Sequence, residues 1–126
     1  MAVSDYDRYL EDLARRRAPA VAEAKRLLAE DRYDEAEQTI VRTDSSIYGE
    51  VEVASLYRHR LEELVAAGVT PQTRPRLEAI FHRALSWADR AFPEPHTAME
   101  ASQYDEARAE NRAALVRILG YDPTEE

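Results

Sequence analysis

Residues 31–40 have the sequence DRYDEAEQTI, and the tetrapeptide within it, Tyr-Asp-Glu-Ala, occurs again at residues 104–107. Both copies lie in segments rich in alanine, glutamate and arginine, residues that lose little entropy in a helix. Helical spacing places Tyr33, Ala36 and Ile40 of the first copy on one face. The repetition therefore favours a scaffold of stacked helices.

Start and stop signals around apolar residues at helical spacing predict an all-α protein of about six helices in antiparallel hairpins. Pro19 is typical of the first turn of a helix and is therefore predicted to start the second one. The six predicted helices span about 5–17, 20–30, 33–43, 47–67, 75–92 and 97–119. They form a first hairpin at about 19–43, a second at about 46–92, and a C-terminal helix at about 97–119.

The apolar faces of these helices are the predicted core. That of the first helix comprises Tyr6, Leu10, Leu13 and Ala14, and that of the fourth comprises Val51, Ala54, Tyr57, Leu61, Leu64 and Val65. A chain of 126 residues is long enough to bury such a core as a single domain, residues 1–126. The last two residues, Glu125 and Glu126, are predicted to fray.

Charge and composition exclude several classes of function. The chain has 17 basic and 25 acidic residues, a formal charge of −8, which repels nucleic acid and anionic lipid and attracts basic partners. No apolar run approaches the roughly 20 residues that cross a bilayer, and the N-terminus does not resemble a secretory signal. With no cysteine, disulfides and thiolate zinc sites are excluded. We therefore expect a cytoplasmic protein that contacts neither membrane nor nucleic acid.

The first Tyr-Asp-Glu-Ala segment resembles the second helix of a tetratricopeptide repeat. That pattern reads G-x-Y-x-x-A with a bulky apolar residue four positions later, and Asp31 stands in the place of the glycine. The first helix of the repeat would then carry Val21, Ala24, Leu27 and Leu28. The resemblance covers about 25 residues well, and it implies a tetratricopeptide-like bundle with a concave groove for a peptide or partner helix. No binding residue of the family can be transferred to this sequence.

Residues that could carry catalysis or bind a metal form no recognisable site. His59 with Glu63, and Glu78 with His82, have i, i+4 spacing, but the helical angle places both pairs on the solvent side of their helices. Serines lack a nucleophile elbow, and the three glycines are too far apart for a phosphate loop. We therefore expect no enzyme activity, no cofactor and no metal site.

Three residues are candidates for partner or ligand binding: Trp87, Arg108 and Asn111. Asn111 interrupts the apolar stripe of the sixth helix, where an unpaired amide would cost about 1 to 3 kcal/mol. Its partner could be a backbone carbonyl, a side chain such as Arg108 or Glu100, or a bound ligand. Trp87 lies at the margin of the fifth helix's stripe, where a rigid aromatic side chain can anchor an interface.

The leading hypothesis is a non-catalytic module that binds a protein or peptide, most simply a basic one, as an adaptor, an escort or a neutralising partner. A helical bundle that binds a small ligand or metal through Asn111 and Arg108, or through the histidine–carboxylate pairs, is the alternative. A self-assembling structural subunit is a further alternative, so a homo-oligomer is possible.

Overall fold

A computed structural model describes residues 4–124, and this part of the chain contains α-helices and no strand. The all-α prediction is confirmed, with five helices in place of about six. These helices are α1 (Asp5–Ala29), α2 (Tyr33–Thr43), α3 (Ile47–Ala67), α4 (Arg74–Arg90) and α5 (Ala98–Leu119). The chain forms two compact units, Met1–Gly49 and Glu50–Glu126. The predicted fraying of Glu125 and Glu126 lies outside the described residues.

The predicted break before Pro19 is absent, because α1 continues through this residue. Proline removes one backbone donor and crowds the carbonyl four residues earlier. Pro19 is exposed, so water can bind the carbonyl group that it leaves unpaired. Alanine, arginine and leucine on both sides favour the helix. The first two predicted helices are therefore one helix of 25 residues.

In the first unit, α2 folds back along the C-terminal half of α1. The reversal is made by Asp31, which has a φ of 60°, and by the Arg32 amide, which donates to the Leu27 carbonyl at 2.9 Å. Aspartate tolerates this left-handed conformation better than most residues. The two helices bury Ala24, Leu27, Leu28, Ala36 and Ile40 between them.

The N-terminal half of α1 extends beyond this hairpin. α2 has 11 residues against 25 in α1, so it covers less than half of the longer helix. The predicted apolar face of the first helix is therefore mostly in solvent: Tyr6 is 68% exposed and Leu10 43%, and Ala14 is exposed as well. Tyr9, on the same side of the helix, is 56% exposed. Leu13 is half-buried.

Asp44 joins the end of α2 to the start of α3. Its carboxylate Oδ1 accepts from the Ser46 amide at 3.0 Å and from the Ser46 hydroxyl, and its Oδ2 lies 3.2 Å from Nη2 of Arg17 on α1. The Ser46 hydroxyl in turn accepts from the Tyr48 amide at 3.2 Å. Gly49 packs directly against the Asp44 backbone, where a Cβ would lie 1.9 Å from the Asp44 carbonyl oxygen.

The core of the second unit comes from α3, α4 and α5. Its buried residues are Val53, Leu56, Tyr57, Leu61, Leu77, Ile80, Phe81, Ala84, Trp87, Leu115 and Leu119. The predicted face of α3 is partly wrong, because Val51 is 49% exposed whereas Val53 and Leu56 are buried. The buried face is thus rotated about the helix axis, and the Val51 side of α3 borders an open space.

The ends of α5 are fixed by caps and side-chain contacts. Thr97 Oγ1 accepts from the Glu100 amide at 3.0 Å, and the Glu100 carboxylate accepts from the His96 amide at 2.8 Å. Gly120, with a φ of 91°, ends the helix. The Tyr121 hydroxyl then donates to Glu78 on α4 at 2.7 Å, which ties the segment after α5 to α4.

Candidate functional site

The second unit contains a cavity of about 410 Å³ that α3, α4 and α5 surround. Its lining is mostly apolar, with one amide, one hydroxyl and one guanidinium among the side chains. The lining residues are Val51, Ala54, Ser55 and Arg58 of α3, Ala84, Ala88, Ala91 and Phe92 of α4 and the residues after it, and Asn111 and Leu115 of α5. A volume of this size is within the range of roughly 300 to 1,000 Å³ typical of ligand pockets.

Small side chains at helical spacing create this space. Ala84, Ala88 and Ala91 follow one another at intervals of four and three residues, so they lie along one side of α4. Ala54 adds a further small side chain from α3. Because alanine side chains end at Cβ, they leave space above the helix backbones that larger side chains would fill. These alanines form the floor of the cavity.

Asn111 is the polar group of α5 at this cavity. It is half-buried, and its side-chain amide has no hydrogen-bond partner among residues 4–124. The alternative in which Arg108 or Glu100 satisfies this amide is therefore not observed within the described chain. A half-buried amide without a protein partner must bind water or a ligand group to avoid a desolvation cost. Asn111 thus offers both a donor and an acceptor to a molecule in the cavity.

Arg108 lies one helical turn before Asn111 and contacts the cavity wall from outside. Its guanidinium carbon is 5.2 Å from the centre of the Phe92 ring, and Phe92 also stacks on Tyr104 at 5.4 Å. One guanidinium nitrogen lies 3.5 Å from Asp105. Arg108 therefore contacts Phe92, a residue that lines the cavity together with Asn111.

Trp87, the third candidate, does not line the cavity. Its side chain is 7% exposed, and the Arg90 guanidinium covers its ring at 4.1 Å from the ring centre. The sequence predicts Trp87 at the margin between core and surface, whereas the structure buries its side chain in the core. Trp87 directly precedes Ala88 of the cavity floor, so its indole can report on changes in α4 even though little of it is available to a partner.

Arg58 is the charged side chain among the lining residues. It is 54% exposed and lies 3.6 Å from Glu62, a surface ion pair that stabilises the fold little. The sequence places Arg58 in a solvated Arg-His-Arg cluster at 58–60. Arg58 lies seven residues after Val51, which puts both on one side of α3. This spacing is the sequence feature that could have indicated that Arg58 lines the cavity.

Asp89 of α4 is a partly buried acidic residue that the sequence does not single out. Its Oδ1 is buried without a hydrogen-bond partner among the described residues. Burial raises the pKa of the Asp89 carboxyl group above its usual value, and the positive charge of Arg108 partly opposes this shift. An ionised Asp89 therefore destabilises the folded chain relative to a neutral side chain of the same shape.

Replacing Asp89 with asparagine is accordingly expected to keep or raise stability at neutral pH, by at most about 1 kcal/mol. A raised folded-state pKa means that the aspartate is penalised above its unfolded pKa of about 4 and not below it. The gain should therefore disappear as the pH falls below about 4. Urea unfolding of both proteins at neutral and acidic pH measures it, and a clear loss of stability in Asp89→Asn at neutral pH would show that the carboxylate is needed.

His59 of α3 and His82 of α4 lie on exposed surfaces of their helices. His59 is 61% exposed and lies 3.7 Å from Glu62, and His82 is exposed beside the edge of the Phe81 ring. Both side chains face solvent, as the helical angle predicts. Within residues 4–124, no group of three or more His, Asp or Glu side chains could hold a metal ion.

A second concave surface, in the first unit, is lined mainly by charged side chains of α1 and α2. It has a volume of about 400 Å³ and includes Glu23, Arg32, Glu35 and Arg42. Its charges are largely matched at short range: Arg26 binds Glu23, and Arg32 binds both Glu30 and Glu35. Because these pairs satisfy one another, this surface has less unmet bonding capacity than the cavity of the second unit.

Comparison of the chain with protein-family models, with curated proteins and with solved structures gave no match. No helix of residues 4–124 has an apolar stretch of the length needed to pass through a lipid bilayer.

Proposed function

We propose that the chain is a non-catalytic interaction module whose second unit binds apolar side chains of a protein or peptide in the cavity between α3, α4 and α5. The observation that carries the proposal is the combination of an alanine floor with the unpartnered Asn111 amide at one wall. An apolar groove between helices suits the bulky side chains of a peptide or partner helix. The amide would fix the orientation of that segment by binding one of its polar groups.

The charge of the chain suits a basic partner. A formal charge of −8 raises the rate of encounter with positively charged molecules, whereas the apolar cavity provides contacts that persist at high salt. An adaptor, an escort or a neutralising partner of a basic protein all fit this description. Binding of such a partner should weaken as salt increases, without being abolished.

We also infer that the α1–α2 hairpin is of the tetratricopeptide type. Two observations support this inference. Asp31 has a φ of 60° at the position that the repeat pattern gives to glycine, and Ala36 and Ile40, which the pattern places toward the first helix, are buried. In this proposal the first unit is a scaffold, and the cavity of the second unit is the binding site.

Filling the cavity floor tests the proposed site. We expect Ala88→Phe to weaken partner binding by at least about tenfold, because the new ring occupies the space that the partner's side chain needs. The matched control is Ala79→Phe, on the exposed side of the same helix, which carries the same change in helix propensity. A partner captured from cells with the original chain would be titrated with all three purified proteins, with the fluorescence of Trp87 as the signal.

Equal affinities of Ala88→Phe and Ala79→Phe would show that the partner binds elsewhere. A small apolar ligand is the second candidate for the same cavity, because the volume of about 410 Å³ also suits a compact molecule. Native mass spectrometry separates the two: a bound mass of a few hundred daltons that Ala88→Phe removes would identify the cavity as a small-ligand site and not a peptide groove.

A further inference from the structure

The exposed half of α1 continues the apolar stripe that the other half buries. At 100° per residue, Tyr6, Tyr9, Leu10 and Leu13 lie on the same side of the helix as Ala24, Leu27 and Leu28. α2 covers the second group, and its end is marked by the contact of Asp44 with Arg17. Before Arg17, the stripe has no cover from α2, and its aromatic members are more than half exposed.

Residues 5–16 extend α1 beyond the part that α2 covers. They span about 18 Å and continue a helix that its contacts with α2 already stabilise. An apolar stripe with two tyrosines and two leucines is also a surface that pairing with another helix would bury. The segment therefore gains apolar burial from a partner helix.

The charges beside the stripe indicate which partner fits. Asp5 and Arg16 lie about three turns apart on the same edge of the stripe. Arg15 points to the opposite side of the helix, where it binds Asp12 at 2.8 Å. A second copy in antiparallel orientation places Asp5 of each helix beside Arg16 of the other. A parallel copy would place acid beside acid and base beside base, which is unfavourable.

We propose that residues 5–16 of α1 form a self-association surface that pairs with the same segment of a second copy of this chain in antiparallel orientation. The arrangement is a two-fold symmetric contact in which each copy presents the same patch. Leu10, near the middle of the segment, lies close to the symmetry axis. None of residues 5–16 lines the cavity of the second unit, so substitutions in the two places test self-association and partner binding one at a time.

Sedimentation velocity of the full-length chain, from low micromolar to near-millimolar concentration, should show a reversible monomer–dimer equilibrium. We expect Leu10→Asp to raise the dimer dissociation constant by at least about tenfold, because it places a charge at the centre of the apolar contact. The matched control is Ala22→Asp, on the exposed opposite side of α1, which should change the constant by less than about twofold. Circular dichroism and urea unfolding of each variant verify that the fold is kept.

Charge reversal tests the antiparallel orientation. The single variants Asp5→Arg and Arg16→Glu should each self-associate more weakly than the original chain. The double variant Asp5→Arg with Arg16→Glu restores opposite charges across an antiparallel contact, so it should self-associate like the original chain and should not prefer the original chain as its partner. In a parallel contact the mixed pair would be the favoured one. A monomer at all concentrations, a dimer that survives Leu10→Asp, or a double variant that pairs preferentially with the original chain would overturn the proposal.

Discussion

Replacing Gly49 with alanine is expected to destabilise the protein by about 3 kcal/mol, although alanine is the better helix former. The added Cβ would lie 1.9 Å from the carbonyl oxygen of Asp44 and 3.0 Å from its carbonyl carbon. Both atoms belong to the backbone, so no side-chain rotation relieves the clash. The first turn of α3 or the end of α2 must move, which strains the hydrogen bonds of Ser46 to Asp44.

The control for Gly49→Ala is the same change at Gly120. There the added Cβ meets no atom within 4 Å, and the cost comes from a left-handed φ of 91°, which is about 1 kcal/mol. Urea unfolding followed by circular dichroism ranks the two variants. If Gly49→Ala unfolds at the same urea concentration as the original chain, or at a higher one, the close approach of α3 to Asp44 is not a feature of the folded protein.

Helix type and most helix boundaries could be predicted from the sequence because they depend on local signals. The capping residue Thr97 and the stop at Gly120 act within one turn of the helix end, and both are observed. Pro19 shows the limit of such signals. Proline is compatible with a helix start and also, at a cost, with a helix interior, and the choice between them depends on the helix formers on both sides and on access to water.

The cavity could not be predicted, because it depends on how neighbouring helices are rotated. Periodicity defines an apolar face about 100° wide, but it does not say which edge of that face a neighbour covers. On α3 the covered edge contains Val53 and Leu56, and Val51 borders the open space. Trp87 of α4 shows the same limit. It lies at the margin of the apolar stripe of its own helix, yet its side chain is buried in the tertiary structure.

Asn111 was found from the sequence because it breaks a pattern that the helix itself defines. A single amide inside an apolar stripe is visible without knowledge of the neighbours. Its lack of a protein partner is not visible in this way, since helical spacing left Arg108 and Glu100 as possible partners. In the structure Arg108 contacts Phe92 and Asp105, which leaves the Asn111 amide available to a ligand or water.

The contact of Arg17 with Asp44 joins residues that lie 27 positions apart, so no local signal could reveal it. It depends on the continuity of α1 through Pro19, which carries Arg17 onto the same side of the helix as Ala24 and Leu28. A break before Pro19 would have removed that alignment. The continuous helix α1 and the ion pair between Arg17 and Asp44 are therefore linked, and substitutions of Asp44 test both.

Replacing Asp44 with alanine is expected to cost about 3 kcal/mol at neutral pH. The variant loses the contacts of the carboxylate with Ser46 and leaves Arg17, whose side chain is 27% exposed, without its anionic partner. The matched control is Asp12→Ala, which breaks a surface pair with Arg15 on the same helix. Both side chains of that pair are more than half exposed, so its loss should cost less than about 0.5 kcal/mol.

The effect of Asp44 should depend on pH in a defined direction. Hydrogen bonds from Ser46, with smaller contributions from the charges of Arg17 and Arg16, hold the pKa of the Asp44 carboxyl group below its usual value despite its burial. A lowered folded-state pKa stabilises the protein above the unfolded pKa of about 4, and this contribution is lost as the pH falls through the lower folded-state value. The stability difference between the original chain and Asp44→Asn, which keeps the shape and loses the charge, should therefore shrink on acidification.

A double-mutant cycle isolates the share of Arg17 in this contribution. We expect the coupling between Arg17→Met and Asp44→Asn to exceed about 1 kcal/mol at neutral pH, since the two groups are in contact and partly buried. It should fall toward zero once Asp44 is protonated in both states. A coupling that is absent at neutral pH, or that is unchanged in acid, would mean that the carboxylate acts through Ser46 alone and that α1 does not depend on this ion pair for its position against α2.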